Sequence, residues 1–134
     1  MTPAPDPTLV IDDPALLAEV TDAFHAYERA LMADDLAAMD ALFHAAPTTN
    51  RYGVGEMLYG IDAIRAFRRG RGGARPRTLG TVAITVYGDR FATADAEFQR
   101  QDSDPRGRQT QSWVRFADGW KIVSAHVSLQ GNIP

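Results

Sequence analysis

Between residues 14 and 43, apolar side chains recur every three or four positions. Leu16, Val20, Phe24, Tyr27 and Leu31 fall on one stripe, as an amphipathic helix of roughly five turns requires. Asp13-Pro14 supplies its start, with an aspartate to accept from the free amides and a proline whose φ is already helical. Asp34-Asp35 opens a second, shorter helix whose buried face is Leu36, Met39, Leu42 and Phe43, with Pro47 beyond its end. His44 falls in the last turn of that helix, where a partial positive charge suits the dipole. A third helix begins at Gly60-Ile61-Asp62. At ~100° per residue, Ile61, Ile64, Arg68 and Arg71 share one sector, with Phe67 at its edge. Two arginines on an apolar side leave two readings: their stems snorkel along the core, or their heads serve a polar interior.

From residue 81 the period changes to two. Val82, Ile84 and Val86 alternate with Thr81, Ala83 and Thr85 up to Tyr87, and Gly88-Asp89 makes a turn. Phe91 to Arg100 alternates again, with Ala92, Ala94, Ala96 and Phe98 on one face. After the loop Ser103–Gly107, Gln109 to Phe116 forms a third long strand, and Ala117-Asp118-Gly119 turns into a fourth, Trp120 to Leu129. Strands joined in this way form an antiparallel meander. Helices first and a meander afterwards predict an α+β fold, with the N-terminal helices packed on a strongly curved antiparallel sheet that encloses a cone-shaped cavity. Residues 1–13, with Pro3, Pro5 and Pro7, read as an extended N-terminal arm. Residues 14–134 read as a single domain.

Between the second and third helices lies Asn50-Arg51-Tyr52-Gly53-Val54-Gly55-Glu56-Met57-Leu58-Tyr59-Gly60, which reads as two short strands around a tight turn. Its glycines permit close approach of other groups. The planar fork of Arg51 matches a small carboxylate. The plainer alternative is an edge hairpin with a surface arginine. The polar candidates for the interior are Tyr27, Arg51, Gln109 or Gln111, and His126. Tyr27 is either a core tyrosine tied to a backbone carbonyl or a hydroxyl aimed into the cavity. His126, which shares a face with Ser124 and Ser128, is either a satisfied core or interface histidine or a pocket residue. Trp113 and Trp120 suit the core, although either would also floor a cavity.

Composition narrows the chemistry. The chain has 134 residues, 45% of them hydrophobic, a net charge of −3 and no cysteine. Disulfides, cysteine nucleophiles and thiolate metal sites are excluded, and a reducing cytoplasm is the compartment this suits. No secretory signal and no membrane-length apolar run are visible. The three histidines are dispersed, no H-E-x-x-H pattern occurs, and Gly53-Val54-Gly55 lacks the G-K-[ST] of a phosphate loop. No metal is expected. Six of the 14 basic residues lie between Arg65 and Arg77, but without interleaved aromatics and in an acidic protein. Small anions with more than one carboxylate fit that cluster better than nucleic acid does.

The ending Gly119-Trp120-Lys121-Ile122-Val123-Ser124-Ala125-His126-Val127-Ser128 resembles the last strand of the NTF2-like, SnoaL-like superfamily. Arg51-Tyr52-Gly53-Val54-Gly55-Glu56, Gly60, Ala63-Ile64-Arg65-Ala66-Phe67-Arg68 with Arg71, Gly107-Arg108-Gln109, Gln111, Trp113, Arg115 and the final His-Val-Ser narrow the resemblance to the AtzH-like family, related to the oxalurate protein HpxZ. The resemblance implies an NTF2-like cone, a homodimer formed through the sheet, and a cofactor-independent hydrolase or decarboxylase. Its substrate would be an N-carboxylated urea such as 1,3-dicarboxyurea, converted to allophanate in cyanuric acid or ureide breakdown. The family's functional tyrosine and arginine fall on Tyr27 and Arg51, which are the expected catalytic residues. Glu56, Arg68, Arg71, Gln111, Trp113 and His126 are the expected substrate-binding residues, with Arg68 or Arg71 neutralising a second carboxylate. The alternative is an oxalurate-breakdown protein or a non-catalytic accessory module that partners an amidase.

Overall fold

In the computed structural model, which describes residues 3, 4, 6 and 8–131, helix α1 spans Pro14–Ala33. Asp13 caps it, its carboxylate accepting from the Leu16 amide at 3.1 Å, a contact of about 1 kcal/mol in typical helices. The two aspartates that follow divide the work. Asp34 ends α1 in the left-handed conformation with φ 52°. Asp35 caps α2, Leu36–Ala41, by accepting from the Ala38 amide at 3.1 Å. Helix α2 is shorter than the periodicity predicts. His44 therefore lies beyond its last turn, where its amide donates to the Ile122 carbonyl at 2.9 Å and its ring stacks on Phe116.

Strands β1 (Asn50–Tyr52) and β2 (Met57–Tyr59) form the short hairpin, and α3 follows over Ile61–Arg71. Strands β3 (Arg77–Tyr87), β4 (Phe91–Arg100), β5 (Gly107–Phe116) and β6 (Gly119–Leu129) make the meander. The sheet order is β2-β1-β6-β5-β4-β3, curved and unclosed, with the helices packed against it. The class is α+β, as the pattern implies. One feature lies outside hairpin logic: β1 joins the sheet parallel to β6, with Arg51 beside Ala125.

The core forms where the helices face the sheet. Val20, Phe24, Met39, Ile64, Val86, Trp113 and Ile122 are fully buried; each such large apolar side chain contributes roughly 1.5–3 kcal/mol. Two bulges change which residues reach this core. Between Leu79 and Val82 the strand β3 carries one residue more than β4. Between Ile122 and Ser124, Val123 is the extra residue opposite the Ser112–Trp113 step. A bulge reverses the alternation beyond it. Strand β3 accordingly begins at Arg77, four residues before its regular alternation becomes visible.

Residues 10–12 run along the edge of β3. The Asp12 amide donates to the Val86 carbonyl at 2.9 Å, and its carboxylate accepts from the Val86 amide at 2.8 Å. Residues 1, 2, 5 and 7 of the expected arm lie outside the described residues. Among the described residues no helix is long and apolar enough to cross a membrane.

Candidate active site

Small side chains on the sheet leave a space under the helices. Across β5, Gln109 pairs with Ala96 and Val127, and Gln111 pairs with Ala94 and Ala125. Of these, Gln109, Gln111, Ala125 and Val127 line that space. The result is a cavity of about 340 Å³, walled by residues of α1, the β1–β2 turn, α3 and the inner face of β4–β6. That is the small end of the range for ligand sites, about 300–1,000 Å³.

Arg51 projects from β1 into this space and Glu56 folds back from the turn. Arg51 Nη1 donates to Glu56 Oε1 at 2.7 Å, and the Gly55 amide donates to Glu56 Oε2 at 3.1 Å. Gly53 makes this possible, because a Cβ there would collide with the Glu56 carboxylate. The glycine-rich turn is thus built around an ion pair. Both carboxylate oxygens of Glu56 are engaged, and through its ion pair Glu56 orients Arg51. Arg51 in turn keeps its remaining N–H groups for the cavity.

Tyr27, from the buried stripe of α1, lines the same space. Arg68 Nη2 donates to its hydroxyl at 3.5 Å, while Arg68 Nη1 donates to Asp40 at 2.9 Å. Arg68 also lies over the Phe43 ring at 4.3 Å. Arg68 is therefore a buried strut behind Tyr27, not a lining residue, which corrects its expected contact with substrate. Arg71, one turn further along α3, does reach the cavity. Its Nε and Nη2 are buried with no hydrogen-bond partner among the described residues. Burial, and then the Arg51 and Arg68 charges, push its pKa down. The Phe67 ring lies within 5.6 Å of the Arg51 guanidinium and 5.5 Å of that of Arg71, which spaces the two cations.

The sheet supplies the opposite wall. Arg77 is gripped by Glu28 of α1 at 3.0 and 2.6 Å, and its Nη2 donates to Gln109 Oε1 at 2.9 Å. Trp113 Nε1 donates to Gln111 Oε1 at 3.0 Å. Gln111 lines the cavity. Trp113 is fully buried behind it and does not, so the expectation of substrate contact by Trp113 is corrected: it orients Gln111. His126 is also corrected. It is exposed on the outer face, edge-on to Tyr52 at 5.6 Å. Alternation from Trp120 and Ile122 places His126 inside. The Val123 bulge reverses the phase, and Ala125 and Val127 line the cavity instead.

Sequence reasoning missed Arg100, and held Arg75 and Arg77 only as members of the basic cluster, not as cavity residues. Arg100 was findable, since it continues the inward series Ala94, Ala96, Phe98. Arg77 was hidden by the bulge of β3. Five arginines line the cavity against one acid, Glu56. Three have counter-ions: Arg51 with Glu56, Arg75 with Asp102 and Arg77 with Glu28. Arg71 and Arg100 have none among the described residues. Desolvation, followed by the Arg75 and Arg77 charges, pushes the pKa of Arg100 down. An anion in the cavity would relieve both groups. The arrangement is rich in donors and poor in free acceptors, which is the chemistry of a site for a small, multiply charged oxyanion.

A family profile described as AtzH-like matches residues 9–132. A Pectobacterium atrosepticum protein of unknown function shares 48% identity, with a TM-score of 0.88 over 90% of this chain and 95% of that one. A cystatin-like fold protein from Burkholderia xenovorans shares 44% identity, again with a TM-score of 0.88, over 93% of this chain and 99% of that one. An NTF2-like superfamily protein from Salmonella enterica matches at 24% identity and a TM-score of 0.74, covering 90% of this chain and 94% of that one. That last likeness concerns the fold alone, and the NTF2-like fold is what these structures share with the chain. No curated protein matches the sequence.

Proposed function

Because the chain belongs to the AtzH-like family, we propose that its cavity takes a small N-carboxylated urea and releases one carboxyl group as CO₂. The proposed substrate is 1,3-dicarboxyurea and the product allophanate. The observation that carries this reading is the pair of guanidinium groups, Arg71 and Arg100, that face the cavity without counter-ions among the described residues, in the space that Tyr27 and Arg51 also line. Two unbalanced cations suit a ligand with two carboxylates, and the volume suits a molecule of this size.

In this reading Arg51, held by Glu56, grips the carboxylate that leaves, and Arg71 balances the charge beside it. The N–C bond to that carboxyl group breaks and its electron pair stays on nitrogen. Tyr27, its oxygen accepting from Arg68, gives its proton to that nitrogen, and solvent returns a proton to the phenolate. A homodimer and pairing with an amidase belong to the same proposal. Light scattering and co-purification test them.

Purified protein, without any amidase, is incubated with freshly generated 1,3-dicarboxyurea, and CO₂ release is followed above the spontaneous rate. Acceleration that falls at least about a hundredfold in Arg51→Ala, the order found for lost charge-stabilising contacts, and that is also impaired in Tyr27→Phe, supports the reading. If both variants keep full turnover, the assignment is wrong. If the unaltered protein gives no acceleration, the accessory role beside an amidase takes its place.

A further inference from the structure

Gln109 and Gln111 lie two residues apart on the inner face of β5, both 4% exposed and both lining the cavity. The orientation of each amide is fixed by chemistry. The groups that touch their oxygens are the Arg77 guanidinium and the Trp113 indole N–H. Both are donors with no ability to accept, so each glutamine must turn its oxygen toward them. That turns each NH₂ group away from those two donors. Gln109 Nε2 is buried and has no partner among the described residues. Arg77 cannot swing aside, because Glu28 holds it from α1. Trp113 is fully buried in the core. Two immobilised amide donors on one wall, one of them an orphan, call for an acceptor oxygen from a ligand.

We propose that Gln109 and Gln111 together bind the central carbonyl oxygen of the substrate and stabilise the negative charge it gains during the reaction. This rests on the reading that the cavity takes an N-carboxylated urea. When the N–CO₂ bond breaks, the electron pair left on nitrogen delocalises into the adjacent carbonyl, so that oxygen becomes imidate-like until nitrogen is protonated by Tyr27. Donors already aimed at that oxygen act without reorganising. The pair also sets specificity. It favours a dicarboxylate with a carbonyl at its centre over one of equal length with a methylene there, since the methylene leaves both donors unpaired.

Two non-urea probes separate this proposal from the one it rests on. 3-Oxoglutarate and glutarate carry the same two carboxylates at the same separation, and only the first has a central carbonyl. Calorimetry at low temperature on the unaltered protein is expected to show 3-oxoglutarate binding at least about tenfold tighter. In Gln109→Glu and Gln111→Glu an oxygen remains for Arg77 and Trp113 while the NH₂ donor becomes an acceptor, and the preference is expected to vanish. Gln109→Met with Gln111→Met should also erase it, and should lower kcat on dicarboxyurea by about a hundredfold while glutarate still binds. Equal binding of the two probes by the unaltered protein overturns the donor-pair assignment and leaves the dicarboxylate site standing. Failure of both probes to bind overturns the two together. Because the first comparison uses no variant, a substitution that impairs folding does not protect the proposal.

Discussion

Two cavities among the described residues are similar in size and opposite in character. The one beneath α1 and α3 measures about 340 Å³. The other, about 400 Å³, lies beside α2 and is lined by Asp40, His44, Arg65, Phe116, Asp118 and Lys121 among others. In the second, the charged groups already have partners. Asp40 receives Arg68 at 2.9 Å and lies 3.8 Å from Arg65. Lys121 donates to the Ala41 carbonyl at 2.7 Å and sits 3.7 Å from Asp118. The His44 ring stacks on Phe116 at 4.2 Å. In the first, Arg71 and Gln109 bury donors that nothing in the described protein satisfies. Volume does not distinguish the two. Unspent hydrogen-bonding capacity does, because a buried donor left unpaired costs about 1–3 kcal/mol.

The largest effect expected is on turnover through Arg51, as set out above. The next separates Arg68 from Arg71, which stand one turn apart on α3. Arg71→Met should leave the unfolding free energy unchanged or raise it, since burial and neighbouring cations already disfavour the charge there. The same change should weaken dicarboxylate binding about tenfold to a hundredfold, the value of one or two charge-assisted hydrogen bonds. Arg68→Met should do the reverse first. It removes the nearer of the two cations beside Asp40 and the cation over the Phe43 ring, and should lower stability by about 1–3 kcal/mol in urea titrations. If Arg71→Met destabilises as much as Arg68→Met, the distinction between a structural and a ligand-facing arginine fails.

That distinction was only half legible in the sequence. The helical period put both arginines on the inner side of α3, and nothing in the period says which would find Asp40, a residue of another helix. The places of Tyr27 and Arg51 in the cavity wall were legible, the first from its stripe and the second from its glycine-rich setting and its family resemblance. The helices and the meander were legible because their periods are long and regular. His126 and Arg77 were misplaced or missed for one shared reason: each lies beyond a bulge, where a single extra residue reverses the alternation. The parallel seating of β1 on β6 was also invisible, since pairing at a distance leaves no local mark. The donor role of Gln109 and Gln111 depends on what touches their oxygens, which only the folded structure reveals.

The packing behind Arg77 in the first cavity offers a prediction of intermediate size. Gly107 lies opposite Phe98, and a Cβ there would overlap the Phe98 ring, which is fully buried and has the Arg77 guanidinium over it at 4.3 Å. The ring has no open space to retreat into. Gly107→Ala should therefore lower stability by about 1–3 kcal/mol, as overpacking does, measured as a shift in the urea midpoint at constant slope. It should also disturb the Arg77–Gln109 contact and weaken dicarboxylate binding in proportion. A substitution without effect on either quantity would mean that this wall yields easily, contrary to the rigidity on which the donor pair depends.

The smallest expected effect tests the other side of the comparison. Lys121 lines the second cavity, where its ammonium already serves the end of α2 and Asp118. Asp118 is largely exposed, and exposed pairs of this kind contribute from nothing to about 1 kcal/mol. Lys121→Ala should therefore cost less than about 1 kcal/mol of stability and leave both dicarboxylate affinity and turnover unchanged. The informative quantity is the affinity. If the second cavity were the ligand site, loss of its lysine would remove a cation facing the anion, and binding would fall by the same tenfold or more expected of Arg71→Met. Unequal responses to Lys121→Ala and Arg71→Met, in two cavities of nearly equal volume, would separate size from unsatisfied chemistry as the mark of the site.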